Sequence, residues 1–231
     1  MDEATFQAHA ATLGVVLGDA QVERLWVLAE RLVRWNRAVR LVGDARWETL
    51  IRLHLLDSLA ASRQLRPEPG ERVLDMGTGG GLPALPLAIL YPEVEIWAVD
   101  SDRRKCAFVK TTAAALGLPR VKAVAARLEG RPDAEGLPGV EWVVSRAYRP
   151  LPHFLEAAWS YARRGGQAVA LVGPAVLGPD GGKNRQGGVP AGEASTVPGW
   201  QLEAVDRYRL PGGDEQRGLL RYRRVSRETP P

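Results

Sequence analysis

The first 66 positions carry apolar residues at three- and four-residue steps, which is the spacing of one face of an α-helix. The longest such run extends from Asp19 to about Val39 and predicts an amphipathic helix with Asp19 as its N-cap. Shorter helices are predicted over Thr5–Leu13 and Trp47–Ser62. A stretch rich in Pro and Gly, residues 66–70, then ends the helical pattern.

From Arg72 onward, short apolar runs alternate with helical segments, a pattern typical of βαβ units and a mostly parallel sheet. Two further strands around the turn at 211–215 predict a closing antiparallel hairpin. We therefore predict an N-terminal helical segment at 1–66 and an α/β domain at 67–231. The remaining predicted strands are Arg72–Leu74, Glu95–Val99, Val121–Ala125, Trp142–Ser145 and Gln167–Val172, and the helices are Leu85–Leu90, Arg103–Leu116 and Phe154–Ala162.

Between these strands and the hairpin, residues 173–199 are dense in Gly and Pro and contain few apolar side chains. A segment of that composition cannot bury enough apolar surface to fold by itself. We predict a long flexible loop here.

Composition and charge restrict the class of protein without identifying it. The chain has 31 basic and 27 acidic residues, a net charge of +4, and one cysteine, Cys106. The charge permits an anionic partner but does not demand one. A single cysteine excludes an internal disulfide framework, and no apolar run is long enough to span a membrane. We expect a soluble cytoplasmic protein with no membrane partner.

The candidate chemistry begins at the turn that follows the first strand, residues 75–83. Asp75 precedes three alternating glycines, Gly77, Gly79 and Gly81, and a helical run begins behind them. A strand, a glycine turn and a helix bring backbone N–H groups close to a bound ligand. Glycine suits such a turn because it adopts positive φ and lacks a Cβ that would keep the ligand away.

A second acid, Asp100, ends the next predicted strand, where a carboxylate accepts hydrogen bonds from ribose hydroxyls. Proteins that bind NAD share this acid, but their glycines are spaced G-x-G-x-x-G. The alternating glycines with an acid two residues upstream resemble the turn of Rossmann-like S-adenosylmethionine-dependent methyltransferases. We find no His/Cys/Asp cluster with the spacing of metal ligands and predict no metal.

Several further motifs resemble the glucose-inhibited division protein B family, whose members methylate N7 of a guanine in bacterial 16S ribosomal RNA. The resemblance extends from about Trp35 to Val172 and resumes weakly in the final hairpin. It implies a class I methyltransferase fold, in which a helical N-terminus precedes a seven-stranded, mostly parallel sheet with an antiparallel last strand. The motifs are Trp35-Asn36, His54-Leu55-Leu56-Asp57-Ser58-Leu59, the turn at 75–83 with Pro86, Asp100-Ser101, Arg127-Leu128-Glu129, Ser145-Arg146-Ala147 and Gly165-Gly166.

The resemblance also implies a set of site residues. Asp75 and the glycine turn would hold the methionine end of S-adenosylmethionine, and Asp100 would hold its ribose. Arg146 would lie beside the transferred methyl group as the one catalytic candidate; the alternative is a structural salt bridge. The full set of cofactor-binding candidates is Asp75, Gly77, Thr78, Gly79, Gly81, Leu82, Asp100, Ser101, Arg127, Leu128, Glu129 and Arg146. The implied partner is 16S ribosomal RNA or the small-subunit particle.

The chain departs from the family pattern on the side expected to face the substrate. Arg40, Leu53, Val172 and Gly218 stand where the family usually has Asn, Arg, Lys and His, and the Gly/Pro loop replaces an acidic helix after Gly173. Without several of its cationic side chains, the substrate side would bind RNA phosphates more weakly. The acceptor is therefore less well specified by the sequence than the cofactor.

Other residues admit two interpretations. His54 lies on an apolar helix face, where a buried, hydrogen-bonded histidine is more common than a catalytic one. Five C-terminal arginines either contact phosphate or are solvated strand residues; they are Arg207, Arg209, Arg221, Arg223 and Arg224.

Three hypotheses for function follow. The leading hypothesis is methylation of guanine N7 in ribosomal RNA, an acceptor with a free lone pair that needs no general base. The second is a methyltransferase with another acceptor, such as a small molecule. The third is a cofactor-binding protein without catalysis.

Overall fold

Seven strands form a single mixed sheet in the computed structural model, which describes residues 1–146, 148–177 and 197–226. The strand order is β3-β2-β1-β4-β5-β7-β6, and β1 to β5 are parallel. β7 is antiparallel to both of its neighbours, as predicted for the last strand. The strands are β1 Arg72–Met76, β2 Glu95–Asp100, β3 Val121–Ala125, β4 Val140–Arg146, β5 Ala162–Val172, β6 Trp200–Arg209 and β7 Gln216–Arg224.

Helices precede the sheet and connect its strands. Residues 47–63 form one helical segment, called α3 here, which passes from α to π geometry, returns to α and ends in a 3-10 turn. The other helices are α1 Glu3–Thr12, α2 Asp19–Asn36, α4 Ala84–Leu90, α5 Arg103–Ala115, α6 Pro132–Glu135, α7 Leu151–Ala158 and α8 Pro174–Leu177. None of the described helices has the length and apolar character needed to cross a membrane.

Two helix boundaries differ from the prediction for identifiable reasons. The N-cap of α2 is Gly18 and not Asp19; the Gly18 N–H donates to Gln21 Oε1 at 3.0 Å. The same helix ends at Asn36 and not at Val39. The Asn36 side chain accepts hydrogen bonds from the N–H groups of Leu41 and Val42, which fixes a loop after the helix.

The predicted boundary between α7 and β5 is also wrong. We predicted a helix over Phe154–Ala162, but α7 begins at Leu151 and ends at Ala158. β5 begins at Ala162 because that residue pairs with Val140 of β4, ahead of an irregularity in the register.

Each face of the sheet has its own core. On one face, buried side chains from α1, α2 and α3 pack together with α4, α5 and the sheet. On the other face, α7 packs against β4, β5 and β7. The N-terminal helices thus complete one of the two layers that cover the sheet.

Only the two ends of the predicted loop at 173–199 lie within the described residues. Pro174–Leu177 is helical, and 197–199 leads into β6. Residues 178–196 lie outside the described residues, so the prediction of flexibility stays a prediction.

Candidate active site

The glycine turn joins β1 to α4 at the carboxyl end of the sheet. The N–H groups of Gly77 and Thr78 both donate to the Val99 carbonyl of β2 at 2.9 Å, which anchors the turn to the neighbouring strand. The φ angles of Gly77, Gly79 and Gly81 are +72°, +56° and +76°. All three lie in the left-handed region, which other residues enter only with strain.

One carboxylate oxygen of Asp75 holds this turn in place through two hydrogen bonds. Its Oδ2 accepts from Thr78 Oγ1 at 2.7 Å and from the Ala84 N–H at 3.2 Å. The side chain is fully buried, and Oδ1 has no hydrogen-bond partner among the described residues. Burial raises the pKa of Asp75 to about 6. A buried acceptor without a donor is costly, so Oδ1 is a position for a donor supplied by a ligand.

Asp100, at the end of β2, supports the turn from the side. Its Oδ2 accepts from the Gly79 N–H at 3.0 Å, and its Oδ1 accepts from the Asp102 N–H at 2.9 Å. Lys105 Nζ lies 3.8 Å from Oδ2. The carboxylate is therefore held rigidly at the edge of the cavity described next.

A cavity of about 410 Å³ opens beside Asp100 and Gly77. Of the predicted cofactor-binding residues, Gly77, Asp100, Ser101, Arg127 and Leu128 line it. Thr78, Gly79, Gly81, Leu82 and Asp75 form the turn beneath it, and Glu129 instead forms an ion pair with Arg131.

Four further residues that were not predicted also line this cavity: Val99, Ala126, Tyr148 and Arg149. A Cβ built on Gly77 would lie 2.4 Å from Tyr148 Cδ2, so the tyrosine ring rests directly on the first glycine. The sequence offered one signal: Tyr148 follows β4, and residues after the carboxyl ends of parallel strands meet at one edge.

Arg146 ends β4 beside the glycine turn. The register pairs Asp75 with Val144, which places Arg146 level with Gly77 on the adjacent strand. Its Nη1 donates to His54 Nδ1 at 3.1 Å and lies 4.0 Å from Asp57 Oδ2. The side chain is about 20% exposed.

His54 and Asp57 lie one turn apart on α3 and are both engaged by neighbours. His54 Nε2 lies 3.1 Å from the Asp44 carbonyl oxygen, so the neutral ring donates there and accepts from Arg146 at Nδ1. Burial, followed by the nearby Arg146 charge, lowers the pKa of His54 to about 4. The expected hydrogen bonding of His54 is confirmed, whereas its side chain is half-buried and not fully buried.

Asp57 is the centre of a buried polar network that the sequence analysis did not assign. Its Oδ1 accepts from Tyr208 Oη at 2.8 Å, and its Oδ2 accepts from Arg217 Nη1 at 3.3 Å. Tyr208 and Arg217 are register partners on β6 and β7. The side chains that surround Arg146 therefore come from α3 and from the final hairpin.

Two of the four departures on the substrate side meet in space. Val172 and Gly218 are register partners of β5 and β7, and Gly218 lies against both Val172 and Leu177 of α8. A Cβ on Gly218 would lie 2.8 Å from Leu177 Cδ2. This corner of the site is apolar and closely packed.

The residues present fit S-adenosylmethionine, the cofactor that the resemblance implies. Asp75 Oδ1 lacks a donor, Asp100 borders the cavity, and a side chain at Gly77 would intrude on Tyr148. Among the described residues, no group of three or more His, Cys, Asp or Glu side chains could hold a metal ion.

Comparison with known proteins identifies the family of this chain. The family model described as "GidB: rRNA small subunit methyltransferase G" matches residues 21–177. Ribosomal RNA small subunit methyltransferase G of Myxococcus xanthus is 37% identical over 75% of this chain and 81% of its own length. The protein of the same name from Methylococcus capsulatus is 36% identical over 94% and 96%.

Solved structures share the fold at low sequence identity. TrmN from Thermus thermophilus superposes with a TM-score of 0.54 at 22% identity, over 74% of this chain and 49% of that one. A ribosomal protein L11 methylase from Lactobacillus delbrueckii gives 0.54 at 16% identity, over 75% and 79%. The predicted class I methyltransferase fold is thereby confirmed. The chain belongs to the GidB family, rRNA small subunit methyltransferase G, a family of S-adenosylmethionine-dependent methyltransferases.

Proposed function

We propose that this chain transfers a methyl group from S-adenosylmethionine to N7 of a guanine in 16S ribosomal RNA, in the cytoplasm. The proposal rests on one observation above the others: both ionisable side chains that contact Arg146 are already engaged. His54 accepts from Arg146 and donates to the Asp44 carbonyl, and Asp57 accepts from Tyr208 and Arg217.

This arrangement suits an acceptor that needs no proton removed. Guanine N7 presents a lone pair, whereas a hydroxyl acceptor needs a general base within hydrogen-bond reach. His54 has a depressed pKa and both of its ring nitrogens are in use. It is therefore a poor base but a good support for Arg146.

The chain's own residues would align the reactants. Asp75 would accept from the cationic end of the cofactor with Oδ1, and Asp100 would accept from the ribose. Arg146, level with Gly77, would orient the guanine or a neighbouring phosphate. When bound, S-adenosylmethionine would supply a methyl group attached to a positively charged sulfur, and that sulfur is the leaving group of the in-line displacement. Positioning of this kind accounts for several kcal/mol of the barrier in reactions between two bound groups.

Incubation with tritiated S-adenosylmethionine and small-subunit RNA tests the proposal. We expect label in the RNA from the native chain and a loss of at least about 100-fold for Arg146→Ala. Free 16S RNA and intact 30S particles are assayed in parallel to identify the better substrate. Arg164→Ala is the matched control and should keep full activity. Arg164 is exposed and lies at the start of β5, away from the carboxyl ends of the parallel strands. Cofactor binding without any RNA labelling would refute the proposal.

A further inference from the structure

Many arginines among the described residues pair with a nearby acid, whereas an exposed arginine without such a partner keeps its charge for an anionic partner. Ion pairs join Arg46 to Asp44, Arg63 to Asp206, Arg104 to Asp102 and Arg163 to Glu141. On the final hairpin, Glu203 pairs with both Arg221 and Arg223. The C-terminal arginines considered as phosphate contacts thus include two that an acid already engages.

Three exposed arginines where the end of α2 meets the start of α5, near the glycine turn, have no such partner among the described residues. They are Arg37, Arg40 and Arg103, and we call them the α2–α5 arginine cluster. The nearest acids along the chain are already committed, because Asp44 binds Arg46 bidentately and Asp102 binds Arg104. The positive charge of this cluster is therefore available to a partner.

Helix packing brings the three arginines to the same edge of the sheet. α2 and α5 lie antiparallel, since Arg31 Nε donates to Thr112 Oγ1 at 3.0 Å and Trp35 packs against Phe108 with ring centroids 5.4 Å apart. Because the two helices are antiparallel, the end of α2 lies beside the start of α5. Arg37 and Arg40, which follow α2, are therefore brought towards Arg103 at the start of α5. That edge is the carboxyl end of the strands, where Asp100 and the glycine turn lie.

The loop after α2 is held on the glycine turn itself. Asn36 Oδ1 accepts from the N–H groups of Leu41 and Val42 at 2.8 and 3.0 Å. The Leu41 carbonyl oxygen lies 3.5 Å from the Cβ position of both Gly79 and Gly80. Arg40, adjacent to Leu41, is therefore fixed next to the cofactor turn while its side chain remains exposed.

We infer that the α2–α5 arginine cluster binds phosphates of the RNA substrate next to the methyl-donor site. This inference rests on the proposed RNA substrate but concerns binding and not methyl transfer. Exposed guanidinium groups bind phosphate bidentately. Arg40 replaces an uncharged residue of the family pattern, so it supplies a cation for phosphate where the chain lacks the usual cations at Leu53 and Val172.

Salt-dependent binding of an in vitro transcript of 16S RNA tests the inference. Removing one arginine that binds a phosphate lowers the slope of log K against log salt by about 0.7 to 0.9. We expect the triple variant Arg37→Gln, Arg40→Gln, Arg103→Gln to reduce the slope by about 2 to 3. Its affinity for S-adenosylhomocysteine should stay unchanged, because none of the three lines the cavity.

A charge-matched control separates local phosphate binding from a change in net charge. Arg24, Arg66 and Arg164 are also exposed, and no acid pairs with them among the described residues, but they lie away from the cofactor edge. The corresponding triple glutamine variant should keep the slope of the native chain. An unchanged slope in the cluster variant, an equal fall in the control, or no RNA binding by the native chain would overturn the inference. Binding by the native chain without methyl transfer would refute only the proposed reaction.

Discussion

Arg146 Nη1 donates to His54 Nδ1 at 3.1 Å, and this contact joins the methyltransferase sheet to the N-terminal helices. It fixes the histidine as the neutral tautomer, with the proton on Nε2 facing the Asp44 carbonyl. It also orients the guanidinium at the end of β4, level with the glycine turn. Protonation of His54 would remove the acceptor and place two cations in contact.

The first prediction concerns the pH dependence of stability at His54. The folded-state pKa is lowered from 6.5 to about 4, so the unfolded chain binds more protons between these values. The contribution of neutral His54 to the free energy of unfolding is complete above pH 6.5 and is lost as the pH falls toward 4. The loss amounts to about 1.4 kcal/mol per pH unit at most. Asparagine at position 54 keeps an acceptor for Arg146 and cannot be protonated.

Urea denaturation of the native chain and His54→Asn across this pH range measures the difference. Their free energies of unfolding should diverge steadily below pH 6.5, with the native chain losing more. Titration of Asp75 is common to both proteins and cancels in the comparison. Parallel pH profiles would show that burial and the Arg146 charge do not hold His54 neutral in the folded chain.

The second prediction concerns the buried carboxylate of Asp75. Burial raises its pKa from 3.8 to about 6, so the folded chain binds more protons between these values. Ionisation of Asp75 therefore lowers the free energy of unfolding as the pH rises through 6. At pH 8, Asp75→Asn should make the cofactor-free protein more stable, by up to about 3 kcal/mol. The same change should weaken S-adenosylhomocysteine binding at least tenfold, because it alters the acceptor at Oδ1.

Chemical denaturation and calorimetric titration measure these two effects. Asp133→Asn, which removes an exposed acid from α6, is the control and should change neither. An Asp75→Asn protein that binds S-adenosylhomocysteine as tightly as the native chain would exclude Asp75 from the cofactor site.

The third prediction compares two glycines with similar backbone angles. Gly77 and Gly117 have φ of +72° and +65°, so alanine at either site strains the backbone by about 1 kcal/mol. Only at Gly77 does the new Cβ meet a neighbour, Tyr148 Cδ2 at 2.4 Å; at Gly117 nothing lies within 4 Å. Gly77→Ala should therefore cost at least about 1 kcal/mol more than Gly117→Ala.

Thermal denaturation and S-adenosylhomocysteine binding are the two measurements for this pair. Gly77→Ala should lose cofactor affinity and Gly117→Ala should keep it. If the two variants behave alike in both assays, Tyr148 does not rest on the turn as the structure places it.

The fourth prediction concerns the network around Asp57. This carboxylate is about 2% exposed, and Asp57→Asn leaves Arg217 without its buried anion. Breaking one partner of a buried pair costs about 3 kcal/mol. Because the network also lies beside Arg146, the turnover number should fall while cofactor affinity stays unchanged.

Glu203→Gln provides the comparison for Asp57→Asn. Glu203 pairs with two arginines of the same hairpin, but Arg223 is about half exposed. Its loss should cost less than about 1 kcal/mol and leave turnover intact. If Asp57→Asn and Glu203→Gln change turnover equally, the Asp57 network has no specific role in catalysis.

Sequence patterns predicted the elements that depend on local signals. The alternating glycines and Asp75 located the tight turn between β1 and α4, and short apolar runs located all seven strands. The boundary errors came from tertiary contacts: Asn36 ends α2 by binding a loop, and Ala162 extends β5 by pairing with Val140. No local pattern encodes such contacts.

The sequence pointed to the residues around the cavity more completely than to the polar network around Arg146. Asp57 was recognised in a motif, but its partners Tyr208 and Arg217 lie about 150 residues further along the chain. Only the register of β6 and β7 places them opposite each other. The apolar corner at Val172, Leu177 and Gly218 likewise follows from strand pairing.

The identity of the methylated atom tests the central claim most directly. Small-subunit RNA from a reaction with the native chain is digested to nucleosides and analysed by mass spectrometry. The account predicts 7-methylguanosine, formed by the native chain and absent with Arg146→Ala. A methyl group on any other base atom or on a ribose hydroxyl, formed at the native rate, would contradict it.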